Sequence, residues 1–254
     1  MPRFFLTLSY NGTGFNGWQI QDNTPNTVQQ VLEEKMSMIL QEKIELLGCG
    51  RTDAGVNAKN YVAQFNASAN GLIENKKHWI YKFNTVLPAG IAVYDIRRVR
   101  DTASARFDAT ERVYHYYINL HKDPFTDAFS AYVYGELDFE LMNKAAAILL
   151  EYIDFTSFSK LHSQTKTNNC KITKARWQKL GEYQWRFAIS ADRFLRGMVR
   201  AIVGTLLMVG KNKISLDEFR RIIEAKNRQT AGKNAAPNAL FLVGVSYPKE
   251  VYID

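Results

Sequence analysis

The stretch Ile44-Glu45-Leu46-Leu47-Gly48-Cys49-Gly50-Arg51-Thr52-Asp53-Ala54-Gly55-Val56 runs an apolar strand candidate into a glycine-rich loop. Residues 61–67 beyond it alternate like a half-buried strand, so the region reads as strand, loop, strand. Gly48, Gly50 and Gly55 permit sharp turns and close backbone approach to a ligand. In an extended segment Arg51 and Asp53, two apart, project to the same side. An Asp beside a fixed cation stays ionised, and a carboxylate in that state is a nucleophile or a base. The plainer alternative is a tight turn in which Asp53 bonds its own backbone and Arg51 is solvated. No Lys-Ser or Lys-Thr follows at the spacing of a phosphate-cradling loop.

Upstream, Phe4 to Tyr10 predicts a strand broken by Asn11-Gly12-Thr13-Gly14. Thr27 with Gln30 has the pattern of a capping box, and the helix after it places Val28, Val31, Leu32, Ile39 and Leu40 on one stripe. Downstream come a helix over about 73–84 and a strand from Ile91 to Val99, giving the order β-α-β-β-α-β. The second half repeats this pattern. Arg112 to Leu120 is a strand, Asp138 caps a helix through Leu150, and Ile172 to Gln178 and Tyr183 to Ala191 are strands. Phe194 to Val209 is an apolar helix ended by Gly210. Ser215 with Glu218 opens a short helix, and Leu240 to Tyr247 is the last strand. The predicted fold class is α+β: two ferredoxin-like (split β-α-β-β-α-β) subdomains, 1–104 and 105–254, whose antiparallel sheets join side by side around a basic cleft.

The 254 residues carry 46% hydrophobic side chains, enough for a sizeable core, and a net charge of +8. That charge favours a polyanionic partner, nucleic acid before an anionic membrane surface. The two cysteines, Cys49 and Cys170, have no metal-ligand spacing and fit a reducing cytoplasm. The first residues turn polar too early for a signal peptide, and no apolar run approaches the ~20 residues that span a bilayer. A soluble cytoplasmic protein is expected.

Three further segments carry chemistry. In the strand Arg112-Val113-Tyr114-His115-Tyr116-Tyr117-Ile118, one face holds Arg112, Tyr114, Tyr116 and Ile118. Such a face is either a platform for nucleobases or an aromatic core strand. On the helix from Phe194, the spacing sets Arg193, Arg196 and Arg200 on one face. Arg200, toward the middle of that apolar helix, calls for a carboxylate partner, and Asp53 is the first candidate. Tyr10 to Gln21 mixes glycines, aromatics and amides, as a long turn or as part of a site. The histidines, His78, His115, His121 and His162, show no metal spacing, so no metal is expected.

Together these segments resemble the tRNA pseudouridine synthase A family, nearly end to end. The family's Tyr-Asp-Gly and Gly-Trp-Gln-x-Gln stand here as Tyr10-Asn11-Gly12 and Gly17-Trp18-Gln19-Ile20-Gln21, and its Gly-Arg-Thr-Asp-Ala-Gly-Val-His-Ala as Gly50 to Ala58. Residues 105–116, 154–158, 198–204 and 240–242 continue the match. The resemblance implies isomerisation of uridine to pseudouridine at positions 38 to 40 of the tRNA anticodon arm, without cofactor or metal, by a homodimer. It implies Asp53 as the catalytic carboxylate and Tyr114 stacked on the target base. It also implies Arg200 holding Asp53 ionised, with Arg51 assisting or binding RNA backbone. Asn11 replaces the usual Asp, Asn57 the usual His and Ala239 a usual Gly. The two amides leave open a synthase with a shifted RNA target, or an RNA-binding, tRNA-chaperone paralogue. A nucleotide enzyme using Asp53 on a metal is a third alternative.

Overall fold

A computed structural model describes residues 1–68, 71–160 and 167–253. The chain is mixed α+β and divides into two compact units, Met1–Thr110 with Leu242–Asp254, and Glu111–Phe241.

The first unit contains β1 (Arg3–Tyr10), α1 (Val28–Leu40), β2 (Leu47–Gly48), β3 (Asn57–Asn66), α2 (Lys76–Val86) and β4 (Ile91–Val99). β1 lies between β3 and β4 and is antiparallel to both, with Leu6 opposite Ala63 and Ile96. Phe4, Leu6, Leu8 and Tyr10 are buried, as period-two alternation requires, while Thr7 and Ser9 are half-exposed. Phe5, on the other face, is buried as well, because Tyr247 (4.9 Å between ring centroids) and Tyr252 (6.2 Å) of the returning C-terminal segment cover it.

Three features of this unit differ from expectation. The strand expected over Ile44 to Leu47 pairs only at Leu47–Gly48, although Ile44 and Leu46 point inward. Side chains of α1 take over the backbone bonding: Ile44 N donates to Ser37 Oγ (2.9 Å), Leu46 N to Glu33 Oε1 (2.8 Å), and Leu46 O accepts from Gln29 Nε2 (3.0 Å). The buried stripe of α1 is Val28, Gln29, Leu32 and Met36, with Val31, Ile39 and Leu40 half-exposed. Thr27 caps Gln30 N, but the Gln30 side chain bonds Glu34 rather than returning to complete a box.

The second unit holds β5 (Glu111–Asn119), β6 (Ala131–Tyr132), α3 (Phe139–Ile148), β7 (Ile172–Lys179), β8 (Gln184–Ala191), α4 (Met198–Gly210) and α5 (Leu216–Glu224). The last strand, β9 (Leu240–Ser246), begins here and continues into the first unit. β8 is antiparallel to β5 and β7, so Tyr116, Phe187 and Trp177 form one row across three strands. All three are buried, and α3 packs against β7 and α4. Asp138 caps α3 through Leu141 N (2.8 Å), and Ser215 with Glu218 closes a full capping box on α5. α3 ends at Ile148, and its last turn tightens to 3-10 geometry over Leu149–Glu151.

The apolar helix starts later than its composition suggests. Gly197, at φ +73, is its N-cap, so Arg193 and Arg196 precede α4 and share no helical face with Arg200. At the other end the left-handed residue is Asn212, while Gly210 is still helical.

Candidate active site

Residues 49–56 join β2 to β3. Cys49 N donates to Val62 O (2.8 Å), Val56 N to Asp53 O (3.1 Å), and Gly55 at φ +76 reverses the chain. Thr52 is buried with its hydroxyl 2.8 Å from that of Tyr10. Its neighbours form the outward pair, Arg51 exposed and Asp53 half-buried. Below lies an aromatic floor: Trp18 stacks on Tyr61 at 4.1 Å, Tyr10 sits 5.4 Å from Tyr61, and the Tyr61 hydroxyl donates to Gly50 O. A Cβ on Gly48 would lie 2.7 Å from the Trp18 ring, whereas one on Gly50 would meet nothing within 4 Å. One glycine is needed for packing and the other faces open space.

The segment 12–18 braces the loop. Trp18 N donates to Thr52 O (3.2 Å), and a Cβ on Gly17, itself at φ +85, would lie 2.6 Å from Thr52 O. A Cβ on Gly12 would lie 2.3 Å from Val56 O, and Gly12 N donates to Asn57 Oδ1 (2.8 Å). Asn11 Oδ1 accepts from Thr13 N (2.9 Å), a turn that needs an acceptor but no charge.

Arg51 Nε donates to Gln19 Oε1 (3.2 Å), and Gln19 Nε2 to Gln29 Oε1 (2.8 Å). Gln29 is the buried hub. Its oxygen also accepts from Ile20 N (3.1 Å), and its nitrogen donates to Glu33 Oε1 (2.8 Å) and Leu46 O (3.0 Å). Every donor and acceptor of that amide is used. We expect Gln29→Leu, which leaves several buried groups unpaired, to lower stability by about 3 kcal/mol, read as the urea midpoint. An unchanged midpoint would contradict the hub. Sequence reading missed Gln29; the visible signal was a polar residue inside an apolar helical stripe, two after the cap.

In the second unit, Tyr114 is half-buried and meets Phe194 edge-on at 5.2 Å and 89°. Arg112, Tyr116 and Ile118 on the same strand face are buried, so most of that face is core rather than platform. Burial pushes the Tyr116 hydroxyl well above its usual range, with the Arg200 guanidinium and the Ala236 backbone acting in the opposite direction. Arg200, the third residue of α4, is half-buried; its Nε donates to Ala235 O (2.7 Å), and its own carbonyl accepts from Ala235 N (3.0 Å).

Among the described residues no three His, Cys, Asp or Glu side chains gather as a metal site. His162 lies outside them. Both cysteines are free and buried, and desolvation pushes the Cys170 thiol up to about 12 despite Arg193, so it stays protonated. No described helix is long and apolar enough to cross a membrane.

A family profile described as tRNA pseudouridine synthase matches residues 145–248. The chain is 50% identical to the tRNA pseudouridine synthase A of Porphyromonas gingivalis across all of both chains. It is 50% identical to that of Bacteroides fragilis over 99% of each chain, and 37% identical to that of Pseudoalteromonas atlantica over 97% of this chain and 93% of the relative. The class these matches define is the pseudouridine synthases, which are isomerases. Within it, the chain belongs to the tRNA pseudouridine synthase A family.

Proposed function

We propose that this chain isomerises uridine to pseudouridine at positions 38 to 40 of the tRNA anticodon stem-loop, with Asp53 as the catalytic carboxylate. The observation that carries the reading is the Asp53 loop: a half-buried carboxylate beside an exposed arginine, on a backbone braced by Gly17 and Gly12. Tyr114, Arg51 and Arg200 bind substrate in this reading. Tyr114 stacks on the extruded base, offsetting an unstacking cost of a few kcal/mol with a contact of about 1–3 kcal/mol. Arg51 meets RNA backbone. The scaffold is read as two variants of the split β-α-β-β-α-β pattern. The protein works in the cytoplasm as a homodimer.

The reaction breaks C1′–N1 and forms C1′–C5; the C5 proton leaves and N1 gains one. A single carboxylate has three routes to this outcome: attack on the sugar, attack on the base, or removal of a ribose proton. None requires a cofactor. The two amide replacements favour an active enzyme over an RNA-holding paralogue, because both side chains supply the acceptor that the local backbone needs. Because C5 must lose its hydrogen, incubation with tRNA tritiated at uracil C5 is expected to release label into water without added cofactor. No release would contradict the proposal.

A further inference from the structure

We propose that Asn57 is a positioning residue that sets the height and tilt of the Asp53 loop, an inference that rests on Asp53 being the catalytic carboxylate. Asn57 opens β3 and is only 1% exposed. A polar side chain at that depth must be satisfied, and its Oδ1 accepts from Gly12 N at 2.8 Å. The bond acts where two backbones touch directly. A Cβ on Gly12 would lie 2.3 Å from Val56 O, 2.6 Å from Val56 C and 2.7 Å from Gly55 C, so no side chain separates the two segments there.

The brace has two ends, one on each side of Asp53. Before it, Trp18 N bonds Thr52 O, and Gly17 rests against Thr52, Asp53 and Ala54, with its Cβ position 3.2 Å from Asp53 C. After it, Gly12 rests against Gly55 and Val56 and is latched by Asn57. The loop's own turn, Val56 N to Asp53 O, lies between these contacts. Without the latch acceptor, the Gly12 N–H is left buried and unpaired, and the segments part at the trailing end while the leading end holds. Asp53 then tilts, and its carboxylate misses the reacting atoms. A displacement near 1 Å at a reacting group costs about 100-fold in rate without touching remote binding contacts.

The test compares single-turnover rates, tRNA affinity and thermal melts of the wild type, Asp53→Asn, Asn57→Leu and Asn57→His, at a pH where imidazole is neutral and its nitrogen accepts. Asn57→Leu keeps the branching at Cγ and removes the acceptor. The expected result is a rate lowered about 100-fold with tRNA Kd changed less than about threefold, and recovery of most of the rate in Asn57→His. If Asn57→Leu does not fold, Asn57→Ser, whose hydroxyl is too short to span to Gly12, is read in its place. A folded variant with wild-type rate overturns the proposal. So does a loss of rate and binding in equal proportion, or a failure of histidine to restore the rate. An inactive wild type would instead overturn the assigned reaction.

Discussion

Asp53→Asn is expected to abolish pseudouridine formation while still binding tRNA. Asparagine has nearly the shape of aspartate, so the loop that Thr52, Gly55 and the aromatic floor hold in place has no steric reason to change. What disappears is the negative charge and with it the only function a carboxylate has in this reaction, as nucleophile or base. A positioned base contributes about 10²–10⁴-fold, and a nucleophile contributes more. Single-turnover conversion should therefore fall by at least about 10²-fold. Filter binding should give a Kd within about threefold of wild type, because the phosphate contacts that dominate RNA affinity are untouched. Wild-type conversion by this variant would remove Asp53 from the chemistry.

The second large effect is structural and lies in the other unit. Gly204 sits within α4, where replacing glycine by alanine ordinarily favours the helix by about 1 kcal/mol. Here a Cβ would lie 1.8 Å from Lys233 O, and the Cβ position of Gly232 lies 2.8 Å from Gly204 C. The helix and the segment 232–235 touch backbone to backbone. Gly204→Ala forces them apart and with them three bonds: Gly232 N to buried Thr205 Oγ1 (2.9 Å), Ala235 N to Arg200 O (3.0 Å) and Arg200 Nε to Ala235 O (2.7 Å). Overpacking at about 1–3 kcal/mol and unpaired buried groups at a similar cost outweigh the helix gain. The expected net loss is about 3 kcal/mol, read by urea denaturation. Gly50→Ala, with open space at its Cβ, should be nearly neutral. Equal stability of the two variants would contradict this packing.

Much of this is legible in the sequence. Ile91 to Val99 appears as a strand with those bounds, because β-branched Ile91, Val93, Ile96 and Val99 run along it and Pro88 with Gly90 punctuates its start. The Asp138 and Ser215 caps were readable because a cap is local chemistry. What escaped depends on contacts distant in sequence. Composition extended α4 back to Phe194, but the left-handed Gly197 stops it, and so Arg193 and Arg196 leave the helix. The shortening of β2 depends on Gln29, Glu33 and Ser37 reaching across from α1. Alternation placed Tyr114 and Tyr116 together, yet only the packing around them buries Tyr116 and leaves Tyr114 half-open. Asn57 read as a departure from a family motif. Only its bond to Gly12, forty-five residues away, shows what the amide does.

The account stands most directly on one measurement: a nucleotide-resolution map of pseudouridine in unmodified tRNA transcripts incubated with the purified wild-type protein. The predicted result is pseudouridine at uridines in positions 38 to 40, formed without added cofactor. Pseudouridine confined to other positions would contradict the proposed target. A map without any would contradict the catalytic reading of the Asp53 loop.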